Sequence, residues 1–282
     1  MSIVMMLLVL DLAFTNVYKN SYPRTKFQYV RSLKNQKKDF IFIGSSRVEN
    51  GIVPSVLYQK TKKNAVNLGF QAARLADIYT ILQLIKSYNI QYETIFIQVD
   101  YNFNMGGHST IFQSQMMPFI RENSITKQYN DCYAESPWAN YYVPFYRYCN
   151  NDLKIGFREI FSNLVNKKTN SITNQGYGAL HGNSNKLMGS LPSNCLGDNS
   201  TFDSIQSFVK QNKMKVKFYC APFCNNIENK NYISKLKARI PGFIDFSKAI
   251  TDDKMFVNCN HLNDSGAKLF TAIFAEQVLM GE

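Results

Sequence analysis

The stretch Asp39-Phe-Ile-Phe-Ile-Gly44-Ser45-Ser46-Arg47 decides the fold of this chain. It is a continuous apolar run that ends at a glycine, a pattern typical of a β-strand buried on both faces. A turn with two serines follows directly, so hydroxyl groups lie at the carboxyl end of the strand, where parallel sheets bind ligands. The stretch therefore predicts a parallel α/β sheet with reactive side chains at its edge.

Strands and helices alternate on both sides of a long irregular segment. Strands are predicted at residues 64–69 and 94–100, and a helix between them at 71–88 has apolar residues at helical spacing. This order favours a parallel sheet with right-handed crossovers. The pattern lapses over about 103–200, where helical signals are weak. It returns as a helix at 202–211, a strand at 215–221, a helix at 232–239, a strand at 242–246 and a helix at 266–280. We expect one α/β domain over 39–282 with a five-stranded parallel sheet and a large insertion after strand three.

The composition is that of a globular protein. Of 282 residues, 45% are hydrophobic and 18% are charged, which excludes wholesale disorder. The formal net charge is +12, but the lysines are scattered, and the sequence has no Arg-rich helix or zinc-finger spacing. We therefore predict a solvated basic surface and no nucleic-acid partner. His108 and His181 lie near glycines and are interpreted as surface residues, so we predict neither a metal nor a cofactor.

Six cysteines are present, and their spacing does not predict a metal site. Cys220 and Cys224 have a C-x₃-C spacing without a second Cys or His pair close by. Free or buried thiols are favoured. One disulfide inside the middle segment, for instance between Cys132 and Cys149, stays open for an oxidising compartment.

Residues 1–20 have two interpretations. Ile3 to Phe14 is nearly all apolar but is interrupted by Asp11, and it is shorter than the ~20 residues of a spanning helix. A membrane anchor is favoured over a buried first helix, because residues 21–38 are polar and Lys/Arg-rich like a juxtamembrane linker. The anchor would place the domain in the bacterial cell envelope, outside the inner membrane, although the basic residues after it argue against that orientation.

Polar residues follow the predicted strands at the edge where those strands would meet. Ser46 lies in a strand-to-helix turn that exposes its hydroxyl, and its own N–H can bind an oxyanion. Gly69 ends strand two and lets the backbone approach a ligand closely. Asn102 follows strand three, and His261 precedes the last helix. A nucleophile, a base and three oxyanion donors are thus predicted together, with Arg47 interpreted as the partner of a neighbouring group.

Four blocks carry a resemblance to a known family: Gly44-Ser45-Ser46-Arg47, Gly69, Asn102 and His261-Leu262-Asn263-x-x-Gly266-Ala267. In this order they resemble the blocks of the SGNH (GDSL-like) hydrolase superfamily, in particular its cell-envelope branch. The resemblance covers residues 40–280 apart from the insertion, and it implies a three-layer α/β/α flavodoxin-like fold. It also implies that Ser46 is the nucleophile, that His261 is the general base, and that Ser46 N–H, Gly69 N–H and the Asn102 amide form the oxyanion hole.

One position departs from the family. Its last block is Asp-x-x-His, and the residue three before His261 is Asn258. An Asn carbonyl can orient an imidazole but cannot stabilise an imidazolium by charge. Three outcomes stay open: a Ser–His pair supported by Asn258, a substitute carboxylate such as Asp253 or Asp264, or a protein that has lost the reaction. Asp245, after strand five, is interpreted as structural.

The resemblance implies a serine esterase or O-acyltransferase that acts on acyl esters, with cell-envelope glycans as the expected substrates. The Tyr-rich insertion is interpreted as one wall of a glycan groove. The alternative is a degenerate binding or assembly factor for envelope polysaccharide that has kept the fold. Expected partners are therefore an acylated carbohydrate or another ester and, through the N-terminus, a membrane.

Overall fold

A computed structural model describes residues 2–183 and 187–280. The strands are β1 (Phe40–Gly44), β2 (Ala65–Gly69), β3 (Thr94–Gln98), β4 (Gly189–Ser190), β5 (Val216–Cys220), β6 (Ile227–Glu228), β7 (Ile244–Asp245), β8 (Phe256–Asn258) and β9 (His261–Leu262). Five of them form one parallel sheet in the order β2-β1-β3-β5-β7. The predicted fold class, a three-layer flavodoxin-like α/β fold, is confirmed.

Helices flank the sheet and fill the insertion. In chain order they are α1 (Ile3–Asn20), α2 (Lys26–Ser32), α3 (Ser46–Glu49), α4 (Pro54–Thr61), α5 (Leu75–Ser87), α6 (Thr110–Met116), α7 (Ser124–Tyr133), α8 (Pro137–Tyr142), α9 (Tyr146–Cys149), α10 (Asp152–Ile155), α11 (Phe157–Leu164), α12 (Asn170–Thr173), α13 (Ser200–Gln211), α14 (Asn231–Arg239) and α15 (Asp264–Phe274). A π-helical turn at Ala275–Leu279 continues α15.

The core explains why the strands read as uninterrupted apolar runs. Successive side chains of a strand point to opposite faces of the sheet. Phe42 and Phe96 stack at 5.0 Å, and the ring of Phe274 from α15 meets both edge-on at 5.3 and 5.1 Å. The intervening positions Ile43 and Ile97 are fully buried as well. Helices therefore cover both faces of the sheet.

The insertion is more regular than the sequence pattern predicted. Residues 103–200 contain α6 to α12, which are four to ten residues long. Helices this short give a weak signal in the sequence, and side-chain caps mark the starts of two of them, α6 and α7. The Asn123 side chain accepts from Thr126 N at 2.9 Å, and Ser109 Oγ accepts from Phe112 N at 3.2 Å.

Residues 21–38, expected to be a polar linker, pack against the domain. This segment contains α2, in which Phe27 and Val30 are fully buried. A capping box between Thr25 and Gln28 begins the helix. Lys26 Nζ donates to the carbonyl of Asn67 at 3.0 Å, which ties α2 to β2.

Candidate active site

Ser46 and His261 are 215 positions apart in sequence and in contact in space. Ser46 Oγ lies 2.8 Å from His261 Nε2. Ser46 is the first residue of α3, directly after β1, and His261 begins β9, which pairs with β8 in a small antiparallel hairpin. The topology thus delivers both groups to the carboxyl edge of the sheet, where the sequence predicted them.

Asn258 fixes the ring of His261. Its Oδ1 lies 3.0 Å from His261 Nδ1 and also accepts from the backbone N–H of Asn260 at 3.0 Å. Because a backbone N–H can only donate, this second bond sets the orientation of the amide. Nδ1 must then carry the proton, which leaves the Nε2 lone pair facing the Ser46 hydroxyl. The arrangement therefore holds the tautomer that a general base requires.

The two neighbouring serines have different environments. Ser45 is buried, and both its N–H and its Oγ donate to Gln98 Oε1, at 3.0 and 2.9 Å. Gln98 Nε2 donates in turn to Asp100 Oδ2 at 2.6 Å. Ser45 is thus the cap of α3, and Ser46 is the serine whose hydroxyl faces a base.

Arg47 is buried at the centre of the strand ends. Its Nε forms an ion pair with Asp100 Oδ2 at 2.6 Å, and both side chains are at most 1% exposed. Its terminal nitrogens donate to the carbonyls of Asn260, Ala221 and Pro222. This guanidinium therefore ties β3, the loop after β5 and the His261 hairpin to the helix of Ser46, as the predicted role of a pairing residue requires.

The candidate substitute carboxylates have other partners. Asp264 accepts from Tyr177 Oη at 2.9 Å and from Lys268 Nζ at 2.6 Å. Asp253 accepts from Asn225 N at 3.0 Å, and Asp245 accepts from Ser247 N at 2.9 Å. The group on His261 Nδ1 is the Asn258 amide.

The three predicted oxyanion donors differ in availability. The Asn102 side chain is 2% exposed, and its Oδ1 accepts from Asp100 N at 2.9 Å, which turns its Nδ2 away from that bond. Asn102 Nδ2 is a buried donor without a partner among the described residues. Ser46 N–H lies in the first turn of α3, where helical N–H groups have no partner within the helix.

Gly69 is engaged structurally. Its N–H donates to Asn67 Oδ1 at 3.0 Å. A Cβ at this position would lie 2.3 Å from Glu49 N and 2.8 Å from Ser45 O, so α3 can pack against β2 only across a glycine. The N–H of Gly69 can donate to an oxyanion only if its hydrogen bond to Asn67 Oδ1 is shared or broken.

Burial keeps His261 neutral. Desolvation, together with the nearby positive charge of Arg47, lowers the pKa of His261 to about 4. Among the described residues no carboxylate opposes these effects, because Asn258 occupies the position beside Nδ1. The imidazole is therefore free to accept a proton at neutral pH, but the resulting imidazolium is held less strongly than one beside an Asp.

A disulfide joins the hairpin to the sheet. Cys224, in the loop after β5, is bonded to Cys259, between Asn258 and His261. The suggested pairing of Cys132 with Cys149 is wrong, since both are exposed free thiols. No sequence pattern indicates the pair that forms, because its members are 35 residues apart and only the fold brings them together.

The returning arm of the insertion lies beside the site. Gly178 N donates to Glu49 O at 2.9 Å, and the Asn50 side chain donates to Gly178 O. Asp264 N donates to Leu180 O at 2.8 Å. Residues 177–182 therefore border both α3 and the start of α15, a contact that sequence patterns did not predict.

The comparisons with known proteins assign no family to this chain. Neither a family model nor a curated protein matches the chain. Among solved structures, one from Streptococcus pneumonia described as "a putative platelet activating factor" aligns over 98% of this chain and 99% of its own, with 13% identity and a TM-score of 0.44. Within the described ranges, 2–183 and 187–280, no cluster of three His, Cys, Asp or Glu side chains is arranged to hold a metal.

Proposed function

We propose that the chain is a serine-dependent ester hydrolase or O-acyltransferase with Ser46 as nucleophile and His261 as general base. The observation that carries the proposal is the aligned set Ser46 Oγ, His261 Nε2 and Nδ1, and Asn258 Oδ1, with contacts of 2.8 and 3.0 Å. The order of the four sequence blocks, which resembles that of SGNH hydrolases, supports the same assignment.

The geometry supports the following steps. His261 Nε2 takes the hydroxyl proton of Ser46 as Oγ attacks the acyl carbonyl carbon, and the carbonyl π electrons move to the oxygen. Ser46 N–H and Asn102 Nδ2 stabilise this oxyanion. The intermediate collapses, the ester bond breaks, and the leaving alkoxide takes the proton from His261. Water or an acceptor hydroxyl then attacks the acyl-enzyme by the same route in reverse.

For the substrate we propose acyl esters of cell-envelope glycans. Support comes from the resemblance to the envelope branch and from the insertion arm at 177–182 that borders the site. A wall built from an insertion is where substrate selection would lie, since the sheet edge supplies the chemistry. Acetylated oligosaccharides should be deacetylated faster than an unspecific aryl acetate, and faster turnover of the aryl acetate would contradict this substrate class.

The first experiment is intact-mass labelling of the full chain with a fluorophosphonate probe. We expect one adduct on the wild type, none on Ser46→Ala and a rate at least 100-fold lower on His261→Ala. Ser45→Ala serves as the matched control, because Ser45 Oγ bonds Gln98 and not the base. An adduct that survives in Ser46→Ala and disappears in Ser45→Ala would contradict the assignment.

A second candidate function is a non-catalytic binding factor, which Asn258 and the weakly basic His261 favour. It predicts a folded wild type that gives no adduct and that binds acetylated glycans with the same affinity before and after Ser46→Ala. Labelling and binding together separate the two functions.

A further inference from the structure

Helix α1 is docked on the insertion through its polar side. Asp11 forms an ion pair with Arg147 at 2.6 Å, and the two side chains are 11% and 4% exposed. Asp11 Oδ2 also accepts from Phe145 N at 3.1 Å, and Thr15 Oγ1 lies 2.7 Å from Tyr148 Oη. The one acidic residue of α1 is therefore satisfied inside the protein, and the orientation of the helix is fixed.

The first turn of α1 and the side turned away from the insertion are apolar and uncovered. The helix is long and apolar enough to cross a membrane. Its exposed apolar residues are 45% to 73% accessible: Ile3, Val4, Met5, Met6, Leu8, Val9 and Leu12. Such an exposed apolar surface on a fixed helix is typical of a site that contacts lipid or another protein.

Helices α10 and α11 carry further exposed apolar residues, and α11 lies beside α1. The ring of Phe14 meets that of Phe157 at 5.2 Å, so α1 and α11 are adjacent. The exposed apolar residues here are Leu153, Phe157, Phe161, Leu164 and Val165, with 51% to 97% of each accessible. From Phe157 onward they are spaced four, three and one residues apart, which is one face of a helix. We call these five residues and the seven of α1 the apolar face.

The charged residues around the apolar face are mainly basic. Lys19, Lys154, Arg158, Lys167 and Lys168 are exposed. Of the acidic residues on these helices, Asp11 is paired with Arg147 and Glu159 with Arg24 at 2.6 Å, which leaves Asp152 exposed. Basic residues beside an apolar stripe complement anionic phospholipid headgroups.

We propose that the apolar face, including α10 and α11 of the insertion, lies in the surface of a bilayer that contains anionic phospholipid. The membrane contact then consists of two adjoining elements of the folded domain rather than an N-terminal anchor alone. Because the ring of Phe14 on α1 contacts that of Phe157 on α11, we expect a bilayer that covers the exposed residues of α1 to reach Phe161 and Val165 as well. This inference does not depend on the proposed enzymatic function.

The test places a single tryptophan on α11 of the full chain. Trp138→Phe removes the native tryptophan, and Phe161→Trp introduces the probe at a 64% exposed position, where the substitution is tolerated sterically. Tyr58→Trp in the same background is the matched control, since Tyr58 is 50% exposed on α4. Both proteins are mixed with phosphatidylcholine–phosphatidylglycerol vesicles whose acyl chains are brominated.

We expect bromine to quench the tryptophan at position 161 by at least half and to leave the one at position 58 unchanged. No quenching at 161 with vesicle-bound protein would overturn the proposal, because α1 would then bind alone. Equal quenching at positions 161 and 58 would also overturn the proposal, because it would show that the protein inserts into the bilayer nonspecifically. Lys167→Gln with Lys168→Gln should weaken binding to the anionic vesicles roughly tenfold. If this double variant binds the anionic vesicles as tightly as the wild type, the proposed preference for anionic phospholipid is wrong.

Discussion

The two halves of the candidate site are held in different ways. Ser46 follows a strand whose end is fixed by buried polar groups, Ser45, Gln98, Asp100 and Arg47. His261 lies on a surface hairpin that a disulfide ties to the loop after β5. One 2.8 Å contact thus depends on a buried ionic network on one side and on a covalent bond on the other. Arg47 also donates to the carbonyl of Asn260 in the hairpin, so the disulfide can be removed without touching the network, whereas the loss of Arg47 affects both halves.

The largest effect should come from the buried network. Arg47→Met removes the guanidinium and leaves Asp100 buried without a cation, so we expect the free energy of unfolding to fall by about 3–5 kcal/mol. Urea unfolding at pH 7 measures it. Lys60→Met is the control, because its ion pair with Glu276 is solvent-exposed and should contribute less than about 1 kcal/mol. If both variants lose the same free energy of unfolding, the buried network contributes no more to stability than an exposed ion pair.

Breaking the disulfide should disturb the other half. Cys224→Ser with Cys259→Ser opens a loop of 35 residues, which corresponds to about 3–4 kcal/mol of stability. We also expect slower probe labelling of Ser46, because the hairpin that carries His261 is freed. The paired control is Cys132→Ser with Cys149→Ser, whose thiols are exposed and unbonded. If labelling is unchanged after the disulfide is lost, hydrogen bonds alone hold the hairpin.

A smaller effect is expected from the group that orients the base. Asn258→Ala removes the acceptor on His261 Nδ1, so the ring can rotate and adopt the other tautomer. We expect the labelling rate of Ser46 to fall roughly 10- to 100-fold, about 1.4–2.7 kcal/mol in the barrier, with little change in the urea midpoint. A parallel loss of stability would instead indicate a structural role.

The smallest effect is expected from Asn258→Asp, which should change how the labelling rate of Ser46 depends on pH. In the wild type, labelling should rise with pH through the His261 pKa of about 4 and then level off. Asn258→Asp places a negative charge beside Nδ1 and raises that pKa, so more of the histidine is protonated in acid. Labelling should therefore fall at pH 5 and rise at pH 8, where the carboxylate stabilises the imidazolium. A change in the same direction at both pH values would contradict this account.

A structural feature of this protein could be predicted from the sequence when a short stretch of residues encodes it, and could not when it depends on contacts between distant segments. The sheet could be predicted because both of its faces are covered, which forces continuous apolar runs such as Phe40 to Gly44. The meeting of Ser46 and His261 follows from strand order, although their catalytic roles stay predictions. The pairing of Cys224 with Cys259 and the use of the Gly69 N–H by Asn67 arise from contacts between distant segments, and no local pattern encodes them. The same holds for α10 and α11, whose exposed apolar residues are too few to mark a surface before the fold assembles them.

The pairing of Asp11 with Arg147 also has a consequence for synthesis. The partners are 136 residues apart, and translation adds roughly 5–20 residues per second. The acidic residue of α1 thus waits on the order of ten seconds for its cation, while the apolar side of the helix is already made. During that interval the ion pair that fixes the orientation of α1 cannot form, so the docked position of this helix is reached only after Arg147 has been synthesised.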